Sequence, residues 1–206
     1  MVCMDSFSAE IKKCERDYSD TYDIKKGSVP IVITSAHGIE QKKRGGFLKL
    51  AEPYTRGIAR YVGRKSDCYY LIKNEDTGVD PNKHNGDEFK AILCDLVNKN
   101  HIKVLIDLHG AKKERDFDVE IGTMNDKTAS GTTVNALTEC LKKNGINNIT
   151  LNDPFKGGDI IRTVSDKTGI ECIQLEINNN YRNIRKIKNL KRICKALIMF
   201  AEGLQR

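Results

Sequence analysis

Val104-Leu105-Ile106-Asp107-Leu108-His109-Gly110 is the stretch on which the reading of this chain turns. A short apolar run that ends in polar residues and glycine is how a buried parallel strand delivers side chains to a cleft. Two further stretches follow the same rule. Ile31-Val32-Ile33-Thr34 leads into His37-Gly38-Ile39-Glu40, and Cys172-Ile173-Gln174-Leu175 leads into Glu176.

The intervening segments alternate with these strands. Residues 51 to 65 read as a helix with Pro53 in its first turn, followed by a strand over Cys68 to Ile72. Phe89, Ile92, Leu93 and Leu96 line one face of a second helix, for which Asn85 is the expected cap. Phe117 to Ile121 alternates as a strand, residues 132 to 143 form a helix ended by Gly145, and Ile149 to Leu151 is a short strand. A helix from about Asn183 to Leu204 closes the chain. The pattern implies an α/β protein, a three-layer α/β/α sandwich around a mostly parallel mixed sheet. Ligands bind beyond the carboxyl ends of the strands in such sheets, where all three polar patches fall. Residues 1 to 206 are expected to form a single domain, with 1 to 28 as a peripheral N-terminal segment wrapping its edge.

Hydrophobic residues make up 39% and charged residues 31% of the 206, as in a solvated globular protein. No apolar run approaches the roughly 18 residues needed to span a bilayer, so no membrane partner is expected. Met1 to Asp20 carries Asp5, Glu10, Glu15 and Asp17 without an apolar stretch, unlike a signal peptide. Cysteines at 3, 14, 68, 94, 140, 172 and 194 are odd in number and lack C-x-x-C spacing. Free thiols in a reducing cytoplasm account for them, and a cytoplasmic location is the expectation. The net charge of +7 is spread over scattered lysine doublets with no accompanying RNA-binding or zinc-finger signature, so a nucleic-acid partner is not expected.

Three strands delivering two histidines and two glutamates carry the inventory of a mononuclear zinc hydrolase. His37-x-x-Glu40 places two ligands on one turn, and His109 would supply a third, leaving one tetrahedral position open for water. Asp107 shares the strand face of His109 and is placed to orient its imidazole. Glu176 is the candidate general base. The bland readings stand beside these: His37 bonded to backbone at a strand end, and Glu176 paired with Arg182 or Arg185. His84 and His101 read as surface residues. Pro154-Phe155-Lys156-Gly157-Gly158-Asp159-Ile160-Ile161-Arg162 offers a glycine pair for close backbone approach and, in Arg162, a fork suited to a substrate carboxylate. Asp80-Pro81-Asn82-Lys83 reads first as a plain surface turn, with Asp80 or Asn82 reaching the cleft as the alternative. Arg115 or Arg162 would assist a developing oxyanion, with a solvated surface role the alternative for Arg115.

Taken together, Ser35-Ala36-His37-Gly38, Asp80-Pro81-Asn82, Asp107-Leu108-His109-Gly110, the 154–162 stretch, Gln174-x-Glu176 and Tyr181 resemble the N-formylglutamate amidohydrolase family, related to the zinc carboxypeptidases. The resemblance spans about Val29 to Tyr181. It implies a phosphorylase/hydrolase-like fold and cleavage of an N-acyl amino acid amide bond with one zinc ion per chain. By the same resemblance His37, Glu40 and His109 would bind zinc, Glu176 would be the catalytic carboxylate, and Arg162 would hold the substrate's carboxylate. Gly157, Gly158 and Asn82 would contribute to substrate binding. The partner implied is a small-molecule or short peptide-like substrate bearing a carboxylate. Ala36 stands where the family often has proline. Two alternatives remain open at this point: a carboxypeptidase-like or poly-γ-glutamate-type hydrolase, and a non-catalytic anion-binding protein on the same fold.

Overall fold

The strands alternate two kinds of side chain, and the alternation decides which face of the sheet holds chemistry. The computed structural model describes residues 6–18, 20–42, 48–83 and 87–205. In chain order these form α1 (Ser6–Glu15), β1 (Tyr22–Lys25), β2 (Val29–Ser35), β3 (Gln41–Lys42), β4 (Leu48–Lys49), α2 (Thr55–Lys65), β5 (Cys68–Lys73) and α3 (Glu88–Asn100). They continue with β6 (Val104–Ala111), β7 (Val119–Gly122), α4 (Gly131–Lys143), β8 (Ile149–Leu151), α5 (Asp159–Thr168), β9 (Glu171–Asn178), a 3-10 turn (Ile184–Lys186) and α6 (Ile187–Gly203). Seven strands form one sheet in the order β1-β5-β2-β6-β9-β7-β8. Its pairings are parallel except at β1–β5 and β7–β9. The architecture is the expected α/β sandwich around a mostly parallel mixed sheet.

Residues paired across strands point to the same face. Thr34 is opposite Asp107, Asp107 opposite Gln174, and Gln174 opposite Gly122. One step further along, His109, Glu176 and Glu120 form a row across β6, β9 and β7. The lower half of this face is apolar: Val32, Leu105 and Cys172 pack against Phe89, Leu93 and Leu96 of α3 and Ile160, Ile161 and Val164 of α5. Its upper half, beyond those contacts, is polar. The opposite face buries Ile31, Ile33, Ile106, Leu108, Ile173 and Leu175 against α1, α2, α4 and α6.

Several elements differ from the sequence reading. Pro53 precedes α2 rather than lying in its first turn. Asp87 caps α3 through the amide of Lys90, whereas Asn85 and His84 lie outside the described residues. Residues 159–168 form a helix whose apolar face is Ile160, Ile161 and Val164. The N-terminal segment supplies a helix and an edge strand, and Gln41–Lys42 pairs antiparallel with Leu48–Lys49 as a small second sheet. Among the described residues no helix is long and apolar enough to cross a membrane.

Buried charge fixes the N-terminal segment. Arg60 of α2 is fully buried; its Nη1 donates to the Cys14 carbonyl at 2.6 Å, its Nη2 to Asn74 Oδ1 at 2.8 Å, and its Nε to Asp23 Oδ2 at 2.6 Å. One guanidinium thus ties α1 and β1 to the body of the sheet. Removing it strands a carboxylate and two acceptors, a change that costs about 3 kcal/mol or more when a buried ionic partner is lost. Arg60→Ala is therefore expected to lower the denaturation midpoint strongly. Limited proteolysis should cut first within residues 15 to 25; an unchanged midpoint would contradict this role.

Candidate active site

The base of the β3–β4 pair brings two distant residues together. The Glu52 amide donates to the His37 carbonyl at 2.9 Å, so the chain leaves at His37, runs through β3 and β4, and returns beside it. The adjoining Gly38 has a steric reason: a Cβ there would lie 2.3 Å from Cγ of Arg56. Glu52 is further fixed by the Gly110 amide, which donates to its Oε2 at 2.9 Å. His37, Glu52 and His109 form the group able to hold a metal ion, each offering a ligand atom within 4.8 Å of the others.

Hydrogen bonding sets which ring nitrogens face inward. His37 Nε2 lies 2.8 Å from Asp80 Oδ1, and His109 Nε2 lies 2.9 Å from Asp107 Oδ2. Asp107 is fully buried and also accepts the Thr34 hydroxyl at 2.7 Å. A carboxylate accepts, so each Nε2 donates outward and each ring turns its Nδ1 inward. Those two Nδ1 atoms stand 3.3 Å apart, with Glu52 Oε2 3.5 Å from that of His109. Two inward nitrogens and a carboxylate at this spacing suit a cation, whether a proton on His109 or a metal ion. The pKa shifts express the same demand. Burial pulls the His37 imidazole down. At His109 the neighbouring Asp107 and Glu52 carboxylates outweigh burial and push it well up. Burial would raise Glu52, but the two imidazoles hold it at about 2.

Glu176 stands next to His109 in the row, its Oε1 4.0 Å from His109 Nδ1, and accepts from Gln174 Nε2 at 3.1 Å. Burial raises its pKa against the pull of His109. Glu120, the third member of the row, is fully buried and accepts the Phe155 amide through Oε1. Burial pushes its carboxyl up to about 7, with the Glu176 charge adding to the shift.

The structure gathers some of the residues read from the sequence and disperses others. His37, His109, Asp107 and Glu176 converge. Glu40 does not: it is exposed beyond β2, and the carboxylate at the cluster is Glu52. Asn82 Nδ2 lies 3.1 Å from His109 Nε2, while its Oδ1 accepts the Ile160 amide at the start of α5. Gly158 makes room for it, since a Cβ there would fall 2.5 Å from Asn82 Oδ1. Gly157 has φ +114 and packs on Ile161. Arg162 is exposed on α5, paired with Asp159 and with Asp166, the latter at 3.6 Å. Arg115 is exposed, its guanidinium 4.9 Å from the centroid of the Phe155 ring. Arg182 does not pair with Glu176. It donates to the carbonyls of Ile177, Pro53 and Ala111, tying the ends of β9 and β6 to the turn that bears Glu52.

A His-Glu-His cluster able to hold a metal ion thus lies at the carboxyl ends of β2 and β6. The family model described as N-formylglutamate amidohydrolase matches residues 87–181. Comparison with curated protein sequences gives no match. Among solved structures, the chain is similar to an N-formylglutamate amidohydrolase from Ralstonia eutropha JMP134. The TM-score is 0.71 at 15% identity, covering 90% of this chain and 98% of that one. It is also similar to a bacteriophage poly-gamma-glutamate hydrolase (TM-score 0.55, 15% identity, 92% of this chain and 90% of that one). A metallo-carboxypeptidase from Burkholderia cenocepacia shares the fold at TM-score 0.53 and 11% identity, covering 97% of this chain and 68% of that one. The family model and the shared fold bear out the resemblance to the N-formylglutamate amidohydrolase family.

Glu120 makes a pH-dependent contribution whose sign is fixed. Its folded pKa, about 7, lies above the ordinary glutamate value, so folding favours the neutral form. The stability it contributes is complete below about pH 4 and is lost as pH rises towards 7, an effect on the order of a few kcal/mol. Urea denaturation from pH 4.5 to 8 should show wild type losing stability relative to Glu120→Gln across that window. Parallel profiles for the two proteins would remove Glu120 as the source.

Proposed function

We propose that this chain is a zinc-dependent amidohydrolase cleaving the amide bond of an N-acyl amino acid of the N-formylglutamate kind, with one ion per chain. The observation that carries the reading is the pair of inward Nδ1 atoms, 3.3 Å apart and joined by Glu52, each ring held from behind by a carboxylate. Two imidazoles and a carboxylate are a donor set zinc accepts in hydrolytic sites, and outer carboxylates that fix the imidazole tautomer are the usual support. His37, Glu52 and His109 would be the ligands. An ion held there supplies a Lewis acid that polarises the scissile carbonyl and lowers the pKa of an attacking water towards about 7.

The chain's own residues do the rest. Glu176, its carboxyl raised by burial, takes the proton of the attacking water and passes it to the leaving nitrogen. Gln174 Nε2 holds Glu176 Oε1 and so limits its rotation. Asp80 and Asp107 keep the imidazoles in one tautomer through the reaction. Asn82 fastens the N-terminus of α5 to the His109 side of the cleft. Free cysteines at 14, 68, 94, 140, 172 and 194 support a reducing, cytoplasmic setting.

Elemental analysis and turnover of five variants test the assignment. His37→Ala, His109→Ala and Glu52→Gln should lose the ion, whereas Glu40→Gln should retain it. Glu176→Gln should keep the ion and the fold while turnover of N-formylglutamate falls by about 10²–10⁴, the range for a lost general base. Metal retained in Glu52→Gln and lost in Glu40→Gln would overturn the ligand set. A wild type that binds no zinc would overturn the function.

A further inference from the structure

Two buried oxygens on the polar face of the sheet have no donor among the described residues. Glu120 is fully buried; its Oε1 accepts the Phe155 amide, but its Oε2 has no hydrogen-bond partner. Gln174 is 5% exposed; its Nε2 donates to Glu176 Oε1 at 3.1 Å, while its Oε1 is unpartnered. Turning the Gln174 amide over does not help, because it would set a carbonyl oxygen against the Glu176 carboxylate. An acceptor shut away from water without a donor bears its full desolvation cost, so each of these oxygens needs a hydrogen.

Register puts the two together. Glu120 lies opposite Glu176, and Gly122 opposite Gln174, in the antiparallel pair of β7 and β9. Glu120 and Gln174 are therefore diagonal neighbours on one face, about 7–8 Å apart at the backbone and within reach of two long side chains. The loop before α5 closes over this corner: a Cβ on Gly122 would fall 2.8 Å from the Gly157 nitrogen. The charged groups acting on Glu120 are Glu176 from β9 and Asp153 from that loop. Burial and these two like charges push its carboxyl up to about 7. A neutral carboxyl has one proton to give, and with Oε1 taken by the Phe155 amide the proton belongs on Oε2. Thr150, opposite Glu120 on β8, also has an unpartnered hydroxyl. One hydroxyl proton would serve one of the two oxygens and leave the other bare, whereas a proton on Glu120 serves both.

We propose that Glu120 is a positioning residue for Glu176: its protonated Oε2 donates to Gln174 Oε1, and Gln174, fixed at both ends, holds Glu176 in place. The inference rests on the amidohydrolase reading for the role of Glu176, while the Glu120–Gln174 contact stands apart from it. No proton passes from Glu120 to the substrate. When Glu120 ionises, two acceptors face each other, Gln174 is free to turn, and Glu176 loses the donor that restrains it.

The contact is tested without catalysis, by urea midpoints at about pH 5 for Glu120→Leu, Gln174→Leu and the double variant. The double variant should shift the midpoint by clearly less than the sum of the two single shifts, as coupled neighbours do. Additive shifts, or a larger coupling when Thr150→Val replaces Gln174→Leu, overturn the inference. The role is tested on zinc-loaded wild type, Glu120→Leu and Glu120→Gln with N-formylglutamate. Glu120→Leu should keep its zinc and its KM while kcat falls about tenfold or more, towards the roughly 10²-fold that about 1 Å of misplacement costs. Glu120→Gln, whose amide also donates, should restore most of that kcat. Between about pH 6 and about pH 9 wild type should lose kcat relative to Glu120→Gln, because only the acid gives up its donor on ionising. This comparison decides the matter even where Glu120→Leu fails to fold. Parallel pH profiles, wild-type kcat in Glu120→Leu, or a Glu120→Gln no better than Glu120→Leu overturn the inference alone. Wild type without zinc or turnover overturns the amidohydrolase reading and the role of Glu120 with it.

Discussion

An imidazole presents a lone pair inward only when its other nitrogen has a proton held outward. That constraint organises the cleft. His109 meets it through Asp107, which is held by the Thr34 hydroxyl on the next strand. The three residues depend on one register: Thr34 opposite Asp107 in the parallel pair of β2 and β6. A slip of one residue would turn Asp107 and His109 to the face now filled by Ile106 and Leu108 and bring apolar side chains into the cleft. The two strands are therefore held in register by their hydrophobic face while the polar face does chemistry.

The rest of the scaffold serves the same end from outside the sheet. α3 and α5 pack their apolar side chains on the lower half of their face, and the polar side chains of the site occupy the upper half. On the other side α2 bears Arg56, and the His37–Gly38 turn lies directly against that side chain. Arg56 Nη2 donates to Tyr18, and Glu15 accepts the amides of Tyr54 and Gly57 at the start of α2. The N-terminal segment thus supports the turn that bears His37 through a buried polar network. Such networks are costly to leave half satisfied, which ties the order of this segment to that of the site.

Six of the seven strands of the sheet were legible because they are short apolar runs, whereas the mixed Tyr22–Lys25 strand was not, and 3.6-residue periodicity marks α3, α4 and α6. α5 was not, since the glycine pair before it reads as a loop and its apolar face spans only Ile160, Ile161 and Val164. Within the site, His37, Asp107, His109 and Glu176 are visible because strand alternation predicts where they point. Glu52 is not. A glutamate three residues after His37 satisfies the local pattern, whereas Glu52 arrives beside His37 through a long-range backbone bond that no spacing encodes. The available signal was indirect: Gly45-Gly46 is a hairpin cue, and the Glu52-Pro53 pair stops chain extension just ahead of α2. Asp80 was visible as a turn residue that could reach the cleft, but not its bond to His37, because a turn aspartate has no pattern that names its histidine.

Charge is where bulk composition and local structure give opposite impressions. The chain carries a net +7, yet its cleft is acidic. Scattered surface lysines draw an anion towards the protein but are screened beyond about 8–10 Å at physiological salt, and they do not decide what binds. At the centre, Glu52, Asp80, Asp107 and Glu176 outnumber the charge of a divalent ion by two, so an anionic substrate would still meet net repulsion. Lys49 Nζ, 3.9 Å from Glu52 Oε1 and from Asp80 Oδ2, offsets part of that excess at contact range. At this range a single partly buried lysine bears more on the centre than the surface doublets do, because its interaction is short-ranged and partly desolvated.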